Sequence, residues 1–199
     1  MNGIWYYVIA FIIIWLFALI FKDYLVKHDV EVEFPVLLWK TKRLRGFIDR
    51  IANKSKKFWK WYMNIGIIIS FGLMIFMAVS LIYSFANISQ TPAVGLVIPG
   101  VDIPGSPIFI PFLYGIIGLI TVIIIHEFSH GILARVENVK INSIGLLLFA
   151  IIPGAFVEPD EDEIKHLSKS GKLRIYAAGS MGNMVLAVIS LIIVFMKMG

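Results

Sequence analysis

Residues 108–134 read IFIPFLYGIIGLITVIIIHEFSHGILA. A spanning helix takes about 20 apolar residues, so this run is long enough to cross a bilayer. The only acid or imidazole side chains in it are His126, Glu127 and His130. Such groups inside a membrane helix are costly, and by default they mark function. Residues i and i+4 share a helix face, so the two imidazoles point the same way. A zinc ion at about 2.0–2.1 Å from each nitrogen suits that spacing. Glu127 is turned about 100° away, beside a metal rather than on it. There it stands ready to deprotonate a metal-bound water, whose pKa the metal lowers toward about 7. That is the mechanical sense of His-Glu-x-x-His, although many hydrolases share the pattern. The alternative reading is two histidines satisfied by neighbouring helices plus a buried glutamate. Three such burials without a purpose are expensive in lipid.

The bulk of the chain agrees with a membrane setting. Of 199 residues, 59% are hydrophobic and 16% are charged, with a mean hydropathy of +0.86. Ordinary soluble domains carry about 25% charged residues. There is no cysteine, which excludes disulfides and thiolate zinc sites, and there are four histidines. The fold class expected is an all-α polytopic membrane protein of about four transmembrane helices, at 4–21, 61–85, 108–134 and 175–196. The first reads as a signal anchor, without a basic flank before it or a cleavage site after it. Eleven Lys and Arg fall in 22–60, six in 135–174 and none in 86–107. The positive-inside rule then assigns 22–60 and 135–174 to the cytoplasm. The helical rise sets the His-Glu-x-x-His motif about 10 Å inside the Arg135 boundary. Gly115, Gly118 and Thr121 offer small surfaces for close helix packing. The net charge of +5 is a topology signal, and the basic stretch with Trp39, Phe58, Trp59, Trp61 and Tyr62 reads as a cytoplasmic loop with interfacial aromatics. No nucleic-acid partner is expected.

Three further stretches bear on the site. Residues 141–157 are apolar but broken by Pro153-Gly154, and are expected to form a re-entrant loop or short β-hairpin between the last two spans. Irregular backbone at membrane depth is tolerated where it lines a cavity, and a free strand edge there suits β-strand addition of an unwound substrate. A half-buried connector is the plainer reading. The acidic run 158–163 reads as a charged surface turn, with Glu158 nearest the membrane and the motif. Asn183, about 13 Å into the fourth span by helical rise, matches the motif's depth and is a candidate to bind substrate or its oxyanion. Loop 86–107 is rich in Pro and Gly and reads as ordered outer turns; Asn87-Ile88-Ser89 matches a glycosylation acceptor.

Together, His126-Glu127-Phe128-Ser129-His130 with Gly131-Ile132, residues 152–159 (IPGAFVEP) and Gly179-Ser180-Met181-Gly182-Asn183 resemble the site-2 protease family, the M50 clan of intramembrane zinc metalloproteases. The resemblance covers roughly residues 90–196, with Ser180 where the family has Pro. It implies zinc as cofactor, His126 and His130 as metal ligands and Glu127 as the catalytic base. It also implies cleavage of transmembrane protein substrates within the lipid bilayer, releasing a cytosolic fragment. The family's third ligand is an Asp in an Asp-Gly pair, which this sequence lacks. A catalytic zinc normally takes three protein ligands plus water. Two readings follow: an intramembrane zinc metalloendopeptidase, and a truncated or inactive relative that serves as a membrane binding protein. The expected organisation is a membrane anchor and basic cytoplasmic loop over 1–61, then a metalloprotease-like core over 62–199, incomplete at its C-terminus. A multi-pass protein of the cell membrane is expected, with its site near the cytoplasmic side.

Overall fold

The computed structural model describes residues 4–41, 44–86, 97–103, 106 and 108–198. Its elements run α1 (Ile4–Ile20), α2 (Lys22–Lys27), β1 (Val30–Glu33), β2 (Val36–Thr41), α3 (Arg45–Lys54), α4 (Lys56–Ala86), α5 (Phe112–Val136), β3 (Ile141–Phe149), β4 (Ile152–Pro159), α6 (Glu161–Lys165) and α7 (Lys169–Met198). Three of these, α4, α5 and α7, are long and apolar enough to cross a membrane. The first of the four expected spans is a shorter apolar helix of 17 residues. Large apolar side chains such as Ile68, Phe76, Ile82 and Phe195 stand exposed on the long helices. This is the pattern of helices whose outer solvent is lipid, where a helix satisfies its own backbone.

The all-α expectation holds for the long helices and fails between them. An antiparallel sheet of four strands, in the order β1-β2-β3-β4, joins residues 30–41 to residues 141–159. The stretch expected as a plain basic loop therefore supplies half of a sheet. Its first strand, Val30-Glu31-Val32-Glu33, alternates with a period of two, and Val32 is buried against Trp15 and Ala18 of α1. The segment 141–157, expected as a re-entrant loop or hairpin, forms the β3–β4 hairpin. Pro153 and Gly154 do not break it. They pair with Leu148 and Leu147 inside β4, which is an edge strand, where a residue without an amide proton is tolerated. A Cβ on Gly154 would lie 2.8 Å from Leu147 Cδ1, so a side chain there would push the Leu147 side chain aside.

The hairpin's tip is held from two sides. Ala150, at φ 56°, donates its amide to the Pro35 carbonyl at 2.8 Å and accepts from Trp15 Nε1 at 2.9 Å. Along the β3–β4 hairpin, Ser143 and Glu158 sit at the open end and Leu148, Phe149 and Ile152 at the tip, while Glu33 of β1 falls in the tip's own row through Val36. Near the start of α1, the Tyr7 hydroxyl donates to the Pro99 carbonyl at 2.5 Å. Near it Ile98 and Val101 form a bridge around Gly100, at φ 72°, so the described part of the 86–107 loop is an ordered turn. Asn87-Ile88-Ser89 lies outside the described residues.

The main core gathers where α3, α4, α5 and α7 meet, around Ala52, Met63, Leu133, Val136, Ile175 and Ala178. Glu137, just past the end of α5, accepts from Arg174 Nε of α7 at 2.8 Å and pairs with Lys60 of α4 at 3.2 Å. Its side chain is only 6% exposed, and burial makes a paired charge binding on all three helices. Arg135 pairs with Asp49, which ties α3 to α5. The acidic run does more than line a surface. Asp160 caps α6 by accepting from the amides of Asp162 and Glu163. The Lys140 amide and ammonium hold the Glu163 carboxyl below its ordinary range.

Candidate metal centre

α5 carries His126, Glu127 and His130, half-buried, on the face turned to α7 and β4. The rings of the two histidines stand edge to face, 4.8 Å between centroids. What aligns them is α7. A Cβ on Gly179 would fall against Nε2 of both rings, 2.5 Å from that of His130. Both Nε2 atoms therefore turn to the same point on α7 and lie close to one another, at a helix crossing that only glycine permits; two nitrogens of neighbouring turns in this relation suit one metal ion. Gly182, one turn on, allows the same close approach to Ser129. The Ser129 hydroxyl turns back to the Ile125 carbonyl at 2.7 Å.

The other ring nitrogens are engaged. His130 Nδ1 donates to the Ile175 carbonyl of α7 at 2.7 Å, which leaves its Nε2 as the acceptor aimed at the shared space. His126 Nδ1 lies 3.2 Å from the Asn183 side-chain nitrogen. The Asn183 oxygen is buried and has no protein partner. The sequence estimate that Asn183 shares the depth of the motif is thus matched by direct contact.

Glu127 points elsewhere, as its offset on the helix dictates. Its Oε2 accepts from the Val157 amide of β4 at 3.3 Å. Val157 sits opposite Ile144 in the β3–β4 ladder, so this amide is one that the edge of the sheet turns toward α5. A cavity of about 1280 Å³ opens between sheet and helix, lined by Glu127, Phe128, Trp39, Gly145 and Val157 among others. Glu158 is not drawn to the histidines, since its carboxylate accepts from the Ser143 hydroxyl within the sheet. Among the described residues no third His, Cys, Asp or Glu joins the pair to form a metal-holding group. The convergence at Gly179 fits a metal through two nitrogens of this chain.

Some contributors were not visible beforehand. Gly131 brings α3 and β4 onto α5, with Ile48 Cδ1 2.9 Å and Val157 Cγ1 3.1 Å from where its Cβ would be. Gly118, expected to admit a neighbour, faces open space, while Gly115 meets Pro99 instead. The Gly179-x-x-Gly182 spacing was the signal available for the helix that closes on the histidines.

These features describe a membrane protein with a His-Glu-x-x-His helix closed by a glycine-bearing partner helix. The sequence model of peptidase family M50 matches residues 114–199. An uncharacterized protein of Methanocaldococcus jannaschii is 40% identical over 83 residues, which is 41% of this chain and 22% of that protein. The membrane-bound transcription factor site-2 protease homolog of Arabidopsis thaliana is 29% identical over 83 residues, 42% of this chain and 16% of that protein. The resemblance to the site-2 protease family is thereby borne out. The matching stretch spans about a fifth or less of the length of these curated relatives. No solved structure matches the chain significantly.

Proposed function

We propose that this chain acts as an intramembrane zinc metalloendopeptidase on membrane-spanning protein substrates. The observation that carries the reading is the convergence of His126 and His130 Nε2 on the space beside Gly179, with Glu127 one residue along on the sheet side. His126 and His130 would hold zinc. When bound, zinc supplies Lewis acidity and makes a coordinated water acidic near neutral pH. Glu127 takes a proton from the attacking water and passes it to the leaving amine. The Val157 amide, which Glu127 accepts from here, becomes available to a substrate strand laid along β4 once Glu127 turns to the water, and this positions a scissile carbonyl beside the motif. Catalysis in lipid needs such an extended segment, because a helix shields its own peptide bonds.

Two observations support a topology. The Lys and Arg distribution supports a multi-pass protein of the cell membrane with 22–60 and 135–174 in the cytoplasm. The apolar tip of the β3–β4 hairpin, held by Trp15 of α1, supports a re-entrant hairpin whose open end, with Ser143 and Glu158, faces the cytoplasm. The fragment released would be cytosolic.

The test is cleavage of a membrane-spanning reporter by the purified chain in zinc-supplied proteoliposomes. Glu127→Gln is expected to lower cleavage by at least about 100-fold, the usual share of a general base, while zinc per chain is unchanged. His126→Ala is expected to lose the zinc as well. Undiminished cleavage by Glu127→Gln would refute the assignment.

A further inference from the structure

The two histidines are aligned by different kinds of group. His130 Nδ1 donates to a main-chain carbonyl, that of Ile175, at 2.7 Å. A carbonyl only accepts, so His130 has one possible tautomer, with Nε2 unprotonated. The partner of His126 Nδ1 is the Asn183 side-chain amide at 3.2 Å. An amide has two faces, and exchanging its oxygen and nitrogen changes the shape of the group very little. With the nitrogen toward His126, Nδ1 must accept, and the ring's proton is forced onto Nε2, into the space both rings share. With the oxygen toward His126, Nδ1 carries the proton and Nε2 is left as a second acceptor beside that of His130. The oxygen now buried without a partner then accepts from His126, and the amide's donors take its former position.

We infer that Asn183 is a positioning residue whose amide oxygen accepts from His126 Nδ1, fixing the tautomer that turns His126 Nε2 toward the shared space. The inference rests on the zinc reading above for its purpose, but the proton's position is a property of the metal-free chain. Asn183 does for His126 what the Ile175 carbonyl does for His130. Ligating histidines are commonly fixed through their other nitrogen in this way, and losing the outer partner typically lowers metal affinity about 10–100-fold. This role takes the place of the direct substrate contact expected from the depth of Asn183 alone. It also gives the residue a requirement that helix packing does not impose: an acceptor at this position is needed, and amide shape is not.

The experiment uses the whole chain in bicelles with ¹⁵N-labelled histidine. Four histidines, assigned by single His→Ala variants, give a tractable spectrum. Wild type is compared with Asn183→Asp, which can only accept, and Asn183→Leu, which can do neither. In the metal-free wild type at neutral pH, the His126 proton is expected on Nδ1. Asn183→Asp is expected to keep it there and to bind zinc, measured by chelator competition, within about threefold of wild type. Asn183→Leu is expected to shift the proton toward Nε2 and to bind zinc about 10–100-fold more weakly. An unchanged His130 Nδ1–H signal certifies the α5–α7 crossing in each variant; should the leucine variant lose it, the wild-type spectrum and the aspartate variant decide. A wild-type proton on His126 Nε2 overturns the inference, and so does an aspartate variant as impaired as a leucine one. Absence of zinc binding by wild type with the proton on Nδ1 overturns the metal reading instead and leaves the hydrogen bond standing.

Discussion

The two halves of α5 belong to one helix long and apolar enough to cross a membrane, and they do opposite things. In its first half, Leu113, Tyr114 and Ile117 are 64%, 72% and 55% exposed. In its second half, Gly131, Leu133, Ala134 and Val136 are buried, and the histidines and Glu127 sit just before them. Hydropathy treats both halves as membrane. The structure separates a largely exposed half, touched near its start by Tyr7 and Pro99, from a half packed by α3, α4, α7 and β4. The first needs apolar character and little else, because lipid accommodates any similar side chain. The second needs particular shapes, since glycine-mediated approach and ion pairs leave little room to adjust.

The contrast breaks hardest at the base of the packed half. Glu137→Ala leaves Arg174 and Lys60 without their shared acid, and breaking a buried pair costs about 3–5 kcal/mol. Lys60 is 40% exposed, so the lower end of that range is expected in unfolding titrations in mild detergent. Next comes Gly179→Ala. Its new methyl group falls against both histidine rings, and overpacking of this kind costs about 1–3 kcal/mol. Zinc per chain is expected to fall toward zero in that variant, even where the fold survives. The contrast is sharpened by Ile117→Ala in the outer half, expected to shift stability by no more than about 0.5 kcal/mol, as for substitutions away from packed features. A loss at Ile117 comparable to that at Glu137 would mean the outer half is packed as well.

The same contrast explains what was legible. The spans expected at 61–85, 108–134 and 175–196 appear as Lys56–Ala86, Phe112–Val136 and Lys169–Met198. Two of the helices begin about a turn or more early, because Lys56, Lys57, Lys60, Lys169 and Lys172 are sound helix formers; hydropathy measures the apolar layer, not the helix. The strands β1 and β2 were hidden by charge counting. Glu31, Glu33 and Lys40 read as a solvated loop, although Val30-Glu31-Val32-Glu33 carries the two-residue alternation of a half-buried strand. Of the site, His126, Glu127 and His130 were readable because their spacing along one helix is local information. The approach of Gly179, the Ile175 carbonyl and the Val157 amide depends on how helices and sheet cross, which spacing within one segment does not encode.

The Trp15–Ala150 hydrogen bond has a consequence for solvent. A hairpin turn normally leaves main-chain groups to water, which is why turns lie at wet surfaces. At Ala150 both main-chain groups are taken, the amide by Pro35 and the carbonyl by Trp15. The tip residue therefore asks nothing of its surroundings, and the turn is as much at home against hydrocarbon as against water. That indifference comes from an indole far away in sequence: 135 residues separate Trp15 from the carbonyl it covers, so the first helix acts as the seal on a joint formed much later in the chain.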